Sequence, residues 1–371
     1  MKRTKLMAAV MVAAAVTGAG RAQEARTSWT DTLTLKGDVR YRYQASDEEG
    51  KDDQPRERHR MRARLSLHAQ INESLRAGLR IVTNDGNPIS DNLTMGDSFD
   101  DEELRMDLAF FDWQVGEEVN VLFGKMAPPW ISVADLVFSS EMNPEGIAAK
   151  AAVDLAADAR LLASAGYWQL QERSEDSDTT MVSGQVALRL QPAAKTHVLT
   201  GASVYAFNEI EGRPLLHDAD VSYGNTTREI GEGDDLRLVY ATDYLLIEGF
   251  MEAGFRFRDV PVVVGGQYVV NTEADRDDTA FLGAIRIGNA KDAGTWEVGY
   301  QYRELERDSV LGVFAENTDT GNGTNVKAHI PYLRYAVTSA FDIKLQYAMA
   351  TKGLRDGKDL DTFKADFTVR F

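Results

Sequence analysis

Cysteine is absent from this chain of 371 residues, which removes disulfides, thiolate nucleophiles and cysteine-ligated metals from consideration. Histidine is nearly as scarce. His59, His68, His197, His217 and His329 are the five present, and none stands in a metal-binding or nucleophile-activating spacing. An enzyme is therefore not expected, and no cofactor is implied. Long apolar runs are missing as well: the longest, Leu6 to Val16, is about half of the roughly 20 residues that a membrane-spanning helix requires. Positive charge is the minority sign, with 41 basic against 58 acidic residues and a net charge of −17, so nucleic acid is not an expected partner.

What is present begins with an export pattern. Lys2, Arg3 and Lys5 precede the apolar run, and Thr17 to Ala22 supply small residues suited to cleavage near Ala22. Residues 1–22 are read as a secretory signal peptide and residues 23–371 as the mature domain. Of the 41 basic residues the signal takes four and no acid, which leaves 37 against 58 and a mature net charge of −21.

The mature chain alternates. Leu33, Leu35, Gly37, Val39, Tyr41 and Tyr43 share one face of an extended segment, while Lys36, Asp38, Arg40 and Arg42 share the other, because successive side chains of a strand point to opposite sides. From Arg58 to Ile71 the same rule sets Met61, Ala63, Leu65 and Leu67 against Arg58, Arg60, Arg62 and Arg64. After the Asn72-Glu73 turn it sets Leu75, Ala77, Leu79 and Ile81 against Arg76 and Arg80. Further alternating segments lie near 103–114, 119–126, 146–154, 159–170, 180–190, 196–206, 242–257, 261–271, 279–288, 294–304, 326–336, 341–351 and 361–371, sixteen in all. Short turns and longer connections then fall alternately on opposite ends. That is the plan of an all-β transmembrane antiparallel barrel of about sixteen strands, with short periplasmic turns and longer outer loops. A soluble sandwich would have to bury the arginine face unpaired, at several kcal/mol per charge, whereas a barrel of this size holds water.

The predicted lumen wall is basic. Lys36, Arg40, Arg42, Arg58, Arg60, Arg62, Arg64, Arg76, Arg80 and Arg105 point inward with the acids Asp38 and Asp107, and Arg303, Lys327, Lys344 and Lys364 stand further round. The third outer connection, Ala127 to Glu145, carries Asp135, Glu141 and Glu145 as candidate constriction residues, since carboxylates facing the arginines would set up a transverse field. Two loop motifs, His217-Asp218-Ala219-Asp220 and Asp319-Thr320-Gly321-Asn322-Gly323, are read as solvated turns before they are read as metal sites.

Several segments resemble the putative-porin family of Gram-negative outer membranes. They are Gly37-Asp38-Val39-Arg40-Tyr41-Arg42-Tyr43, Arg62-Ala63-Arg64-Leu65, Phe123-Gly124-Lys125-Met126, Asn143-Pro144-Glu145-Gly146, Asp243-Tyr244 and Trp296 to Arg303. The resemblance implies an outer-membrane porin: a water-filled channel for passive diffusion of small hydrophilic solutes and ions. Its partners would be outer-membrane lipid, lipopolysaccharide and the barrel-assembly machinery, which the terminal Phe371 would address. An anion-preferring channel is the alternative, and a surface receptor or adhesin barrel a more remote one. An apolar outer wall suits lipid and neighbouring subunits alike, so a homotrimer is left open.

Overall fold

The computed structural model describes residues 32–51, 54–96, 98, 101–233, 236–316 and 318–371; the expected signal peptide lies outside them. Nineteen strands follow one another among these residues. They are β1 (Leu33–Glu48), β2 (Arg56–Gln70), β3 (Leu75–Thr83), β4 (Leu93–Thr94), β5 (Leu104–Gln114), β6 (Val119–Lys125), β7 (Glu145–Ala156), β8 (Ala159–Gln171), β9 (Thr179–Leu190) and β10 (His197–Asn208). Then come β11 (Thr227–Ile230), β12 (Arg237–Tyr240), β13 (Leu245–Phe257), β14 (Val260–Asn271), β15 (Thr279–Gly288), β16 (Trp296–Leu305), β17 (Val326–Ala336), β18 (Phe341–Lys352) and β19 (Lys358–Arg370). Three of them are not staves: β4 is a two-residue stub on β2, and β11–β12 form a separate hairpin within the long connection between β10 and β13. The other sixteen make one antiparallel sheet that β1 and β19 close into a barrel. Closure matters because an open edge would leave backbone groups unsatisfied in lipid.

Alternation sets which face each stave shows to lipid. Leu35, Val39, Tyr41, Leu65, Leu67, Leu79, Phe111 and Val369 are exposed on the outside, whereas Asp38, Arg42, Arg60, Arg62 and Asp366 on the same strands are buried inside. One irregularity is productive. The register of β3 on β5 shifts after Arg80, so that Ile81 faces Met106 while Arg80 faces Leu108. This bulge leaves Asp107 without a stave partner and free to turn toward Arg80, as bulges commonly re-aim a side chain.

The end with short turns holds both Leu33 and Phe371, and the opposite end holds the long connections. The largest apolar cluster is inside the barrel, beneath those connections. Trp130, Leu136, Val137 and Phe138 of residues 126–144 meet Ile210, Leu215 and Leu216 of 209–244 and Val310, Leu311 and Val313 of 306–325, against Trp168, Tyr205 and Leu246 of the wall. Apolar side chains in three outer connections thus leave water by folding inward together.

Candidate functional site

The basic wall follows from strand register. Across β1 and β2, Arg40 faces Arg62 and Arg42 faces Arg60, while Asp38 faces Arg64 and Gln44 faces Arg58. Like charges set directly opposite are destabilising, and two unit charges 4 Å apart interact by about 4 kcal/mol at an effective dielectric constant near 20. Counter-charges come from three places. Asp38 receives Arg62 and Arg64, each at 2.7 Å, and Asp366 of β19 receives Arg42 through two hydrogen bonds of 2.6 and 2.7 Å. The third is remote in sequence. Glu141 accepts from Arg62 at 2.6 Å and stands 3.4 Å from Arg40.

Glu141 reaches the wall because residues 126–144 cross the lumen. Gln185 of β9 clasps Ile131 through its backbone N–H at 2.7 Å and its carbonyl at 2.8 Å. Gln267 of β14 accepts from the Ala134 N–H at 2.8 Å, and the Ser139 N–H donates to the Phe314 carbonyl at 2.8 Å. Trp130 packs edge-on against Trp168 and Tyr205, both at 5.6 Å between ring centroids. The segment therefore runs from β9 and β14 back to β1 and β2.

Two other connections join it. Asp319, expected in a solvated turn, is folded inward instead: it pairs with Lys364 of β19 at 2.5 Å and accepts from Gln346 of β18 at 2.8 Å. Asn225 bonds the Val310 carbonyl and the Gly312 N–H, both at 2.8 Å, tying residues 209–244 to 306–325. The apolar runs Val310-Leu311-Gly312-Val313-Phe314 and Leu215-Leu216 were the available signal, since such residues gain nothing from facing water.

The loop carboxylates respond to these surroundings. Burial opposes the ionisation of Glu141, but Arg40, Arg62, the Asp91 N–H and Arg42 together hold its carboxyl below the ordinary range. Burial works the other way on Asp91, whose pKa is pushed up to about 7 by desolvation and by Glu141 and Asp107, against the pull of Arg64 and Arg62. Asp319 stays ionised: Lys364 overcomes the burial and lowers its pKa to about 2.

A family model described as putative porin matches residues 48–232 and 225–371, most of the chain. The chain belongs to the putative porin family. Comparison with the curated proteins found no match. Among solved structures the porin is similar to OprB of Pseudomonas putida, with a TM-score of 0.60 and 9% identity over 92% of this chain and 95% of that one. It is also similar to OmpF of Salmonella typhi in a complex with daunomycin, with a TM-score of 0.55 and 12% identity over 93% and 99%. A trimer form of OmpT, an outer membrane protein of Vibrio cholerae, gives 0.50 and 12% over 92% and 100%. The protein is an outer-membrane porin forming a channel, its short-turn end in the periplasm.

The remaining residues singled out in the sequence lie as follows in this porin. Arg80 and Asn143 both bond Asp107, the latter at 2.6 Å, and Arg76 bonds Asp112 at 2.6 Å nearer the periplasmic end. Lys36 is exposed near the start of β1. Arg105 reaches Glu103 at 2.7 Å and the Asn84 carbonyl at 3.1 Å near the outer mouth. Asp135 stays within the crossing segment, where burial and Glu316 raise its pKa against the pull of Arg303. Glu145 opens β7 and pairs with Lys125 at 2.6 Å, apart from the Glu141 cluster. Lys327 is a correction: it faces outward, because Val326, Ala328 and Ile330 occupy the interior positions of β17.

Proposed function

We propose that this porin favours small hydrophilic anions, which it passes along the wall formed by β18, β19, β1 and β2. The observation that carries the reading is that Arg58 and Arg60 have no carboxylate within ion-pair distance among the described residues. Arg60 donates only to neutral oxygens, those of Gln44, Ser90 and Asn92, and the Nε atoms of Arg40, Arg58 and Arg60 have no acceptor. The acids on this wall are already engaged by other cations, so positive charge is in surplus where the inward loops leave space. Fixed charge along a pore filters ions by sign. No catalytic step is part of this reading. A homotrimer is the assembly we favour, supported by the trimer form of the Vibrio cholerae relative and the apolar outer wall.

The test is the reversal potential in a planar bilayer under a salt gradient. The double variant Arg58→Glu/Arg60→Gln should move it toward cations, with heat-modifiable mobility retained. Unchanged selectivity in a folded variant would sink the proposal. Glutamate at 62 or 64 is a poorer probe, since it would face Asp38 and Glu141.

A further inference from the structure

Away from the arginine wall, the crossing segment is held by a carboxylate with no charged partner. Gln185, Ser203 and Glu248 stand directly across from one another on β9, β10 and β13, and Glu248 is 3% exposed. Its hydrogen bonds all come from neutral groups. Oε1 accepts from Gln267 Nε2 at 2.7 Å, and Oε2 accepts from the Ser203 and Tyr205 hydroxyls at 2.7 and 3.2 Å. Burying a carboxylate without a cation is costly, and what it supplies here is an acceptor on both sides.

Each of its donors leads to the crossing segment. Gln267 turns its Oε1 to the Ala134 N–H at 2.8 Å, which leaves its Nε2 for Glu248 and, at 3.4 Å, for Ser132 Oγ. Gln185 grips Ile131 at both its N–H and its carbonyl, so the remaining amide hydrogen goes to Ser203 Oγ at 3.0 Å. The Ser203 hydroxyl then donates onward to Glu248. Tyr205 is the third route, because its ring meets Trp130 and Phe138 at 5.6 and 5.0 Å between centroids. Both glutamines present an oxygen to a backbone N–H of the segment, and both depend on an acceptor at the other end of the chain of bonds.

We propose that Glu248 is the positioning residue of the crossing segment: by accepting on both oxygens it orients the two glutamine clasps, and so sets the largest solute that the channel passes. Glutamine in its place would keep the size and shape. Its single oxygen would serve one side only, leaving either the Gln267 amide or the Ser203 hydroxyl without an acceptor. The inference concerns the width of the channel and not the sign of the ion it prefers, so it does not depend on the anion preference of the arginine wall.

The experiment is swelling of liposomes that hold the assembled porin, read as the ratio of the raffinose rate to the arabinose rate. Both sugars are uncharged, and heat-modifiable mobility reports the integrity of the barrel. Glu248→Gln should raise the ratio roughly threefold or more, because a pore sieves by its diameter, with mobility unchanged. The exchange Glu248→Gln/Gln267→Glu should return the ratio to that of the parent. The carboxylate on β14 then accepts from the Ala134 N–H and from the amide on β13, whose oxygen takes the Ser203 and Tyr205 hydroxyls. A merely structural acid would not be rescued by moving it to the next strand. A parental ratio in Glu248→Gln, or a double variant as wide as the single one, would overturn the assignment. If Glu248→Gln does not assemble, Gln267→Ala removes the acceptor of Ala134 alone and should also raise the ratio; a parental ratio there would overturn it equally.

Discussion

Glu141 illustrates how one side chain can hold a segment of chain in place. It is the counter-charge that lets Arg40 and Arg62 face each other across β1 and β2, and its other oxygen accepts from the Asp91 N–H at 3.1 Å. Replacing it by glutamine keeps the shape and removes the charge, which leaves the two arginines repelling each other and frees one end of the crossing segment. Glu141→Gln should therefore give noisier channels with greater anion preference, and should lower resistance to urea by roughly 1–3 kcal/mol. Quiet channels with parental selectivity and stability would show that Glu141 is not what fixes the loop. The arginines themselves were legible from alternation, since period two assigns each to a face. Their partners were not, because Glu141 lies 79 residues from Arg62 and no local pattern links them.

The seam between β1 and β19 is where the barrel either closes or fails. Gly37 exchanges two backbone hydrogen bonds with Phe371, at 2.9 and 3.0 Å, and the Phe371 ring lies over the glycine. A Cβ built there would come within 2.5 Å of the ring and 2.8 Å of the Arg64 carbonyl oxygen. Glycine covered by a cross-strand aromatic recurs at Gly78 beneath Phe110 and Gly299 beneath Tyr332, a device that pins register. Gly37→Val should destabilise the closed barrel by roughly 1–3 kcal/mol, as overpacking does, seen as loss of heat-modifiable mobility. Adding Phe371→Ala should recover part of it, since the Arg64 contact remains. An equally stable Gly37→Val barrel would mean that the ring does not guard the seam. The sequence marked Phe371 only as a terminal aromatic; its seat on Gly37 depends on joining the two ends of the chain.

For the whole molecule the consequence is a two-ended topology. Short protease-sensitive tags after Gly50 and Gly231, both exposed on the long-loop end, should be cut on intact cells, and one after Asn72 should be protected. Cleavage at Asn72 with protection at Gly50 would invert the orientation. A tag at Gly321 is less informative, because a Cβ there would already lie 2.8 Å from Leu360 and 3.0 Å from Lys352.

The sixteen staves, their order, the ends on which connections fall and the lipid or lumen face of most side chains were all written in the sequence. Each follows from the period-two geometry of a strand and from the rule that a barrel in lipid must satisfy every backbone group. Lys327 departs from this because neighbouring small and apolar residues took the interior positions of its strand. The interior of the lumen was decided only by tertiary structure. Residues 126–144, 209–244 and 306–325 lie far apart along the chain, and each alone reads as a polar connection with a few apolar residues. Only when the closed barrel brings them over one opening can Trp130, Leu215 and Leu311 bury one another, placing Glu141 and Asp319 against particular cations.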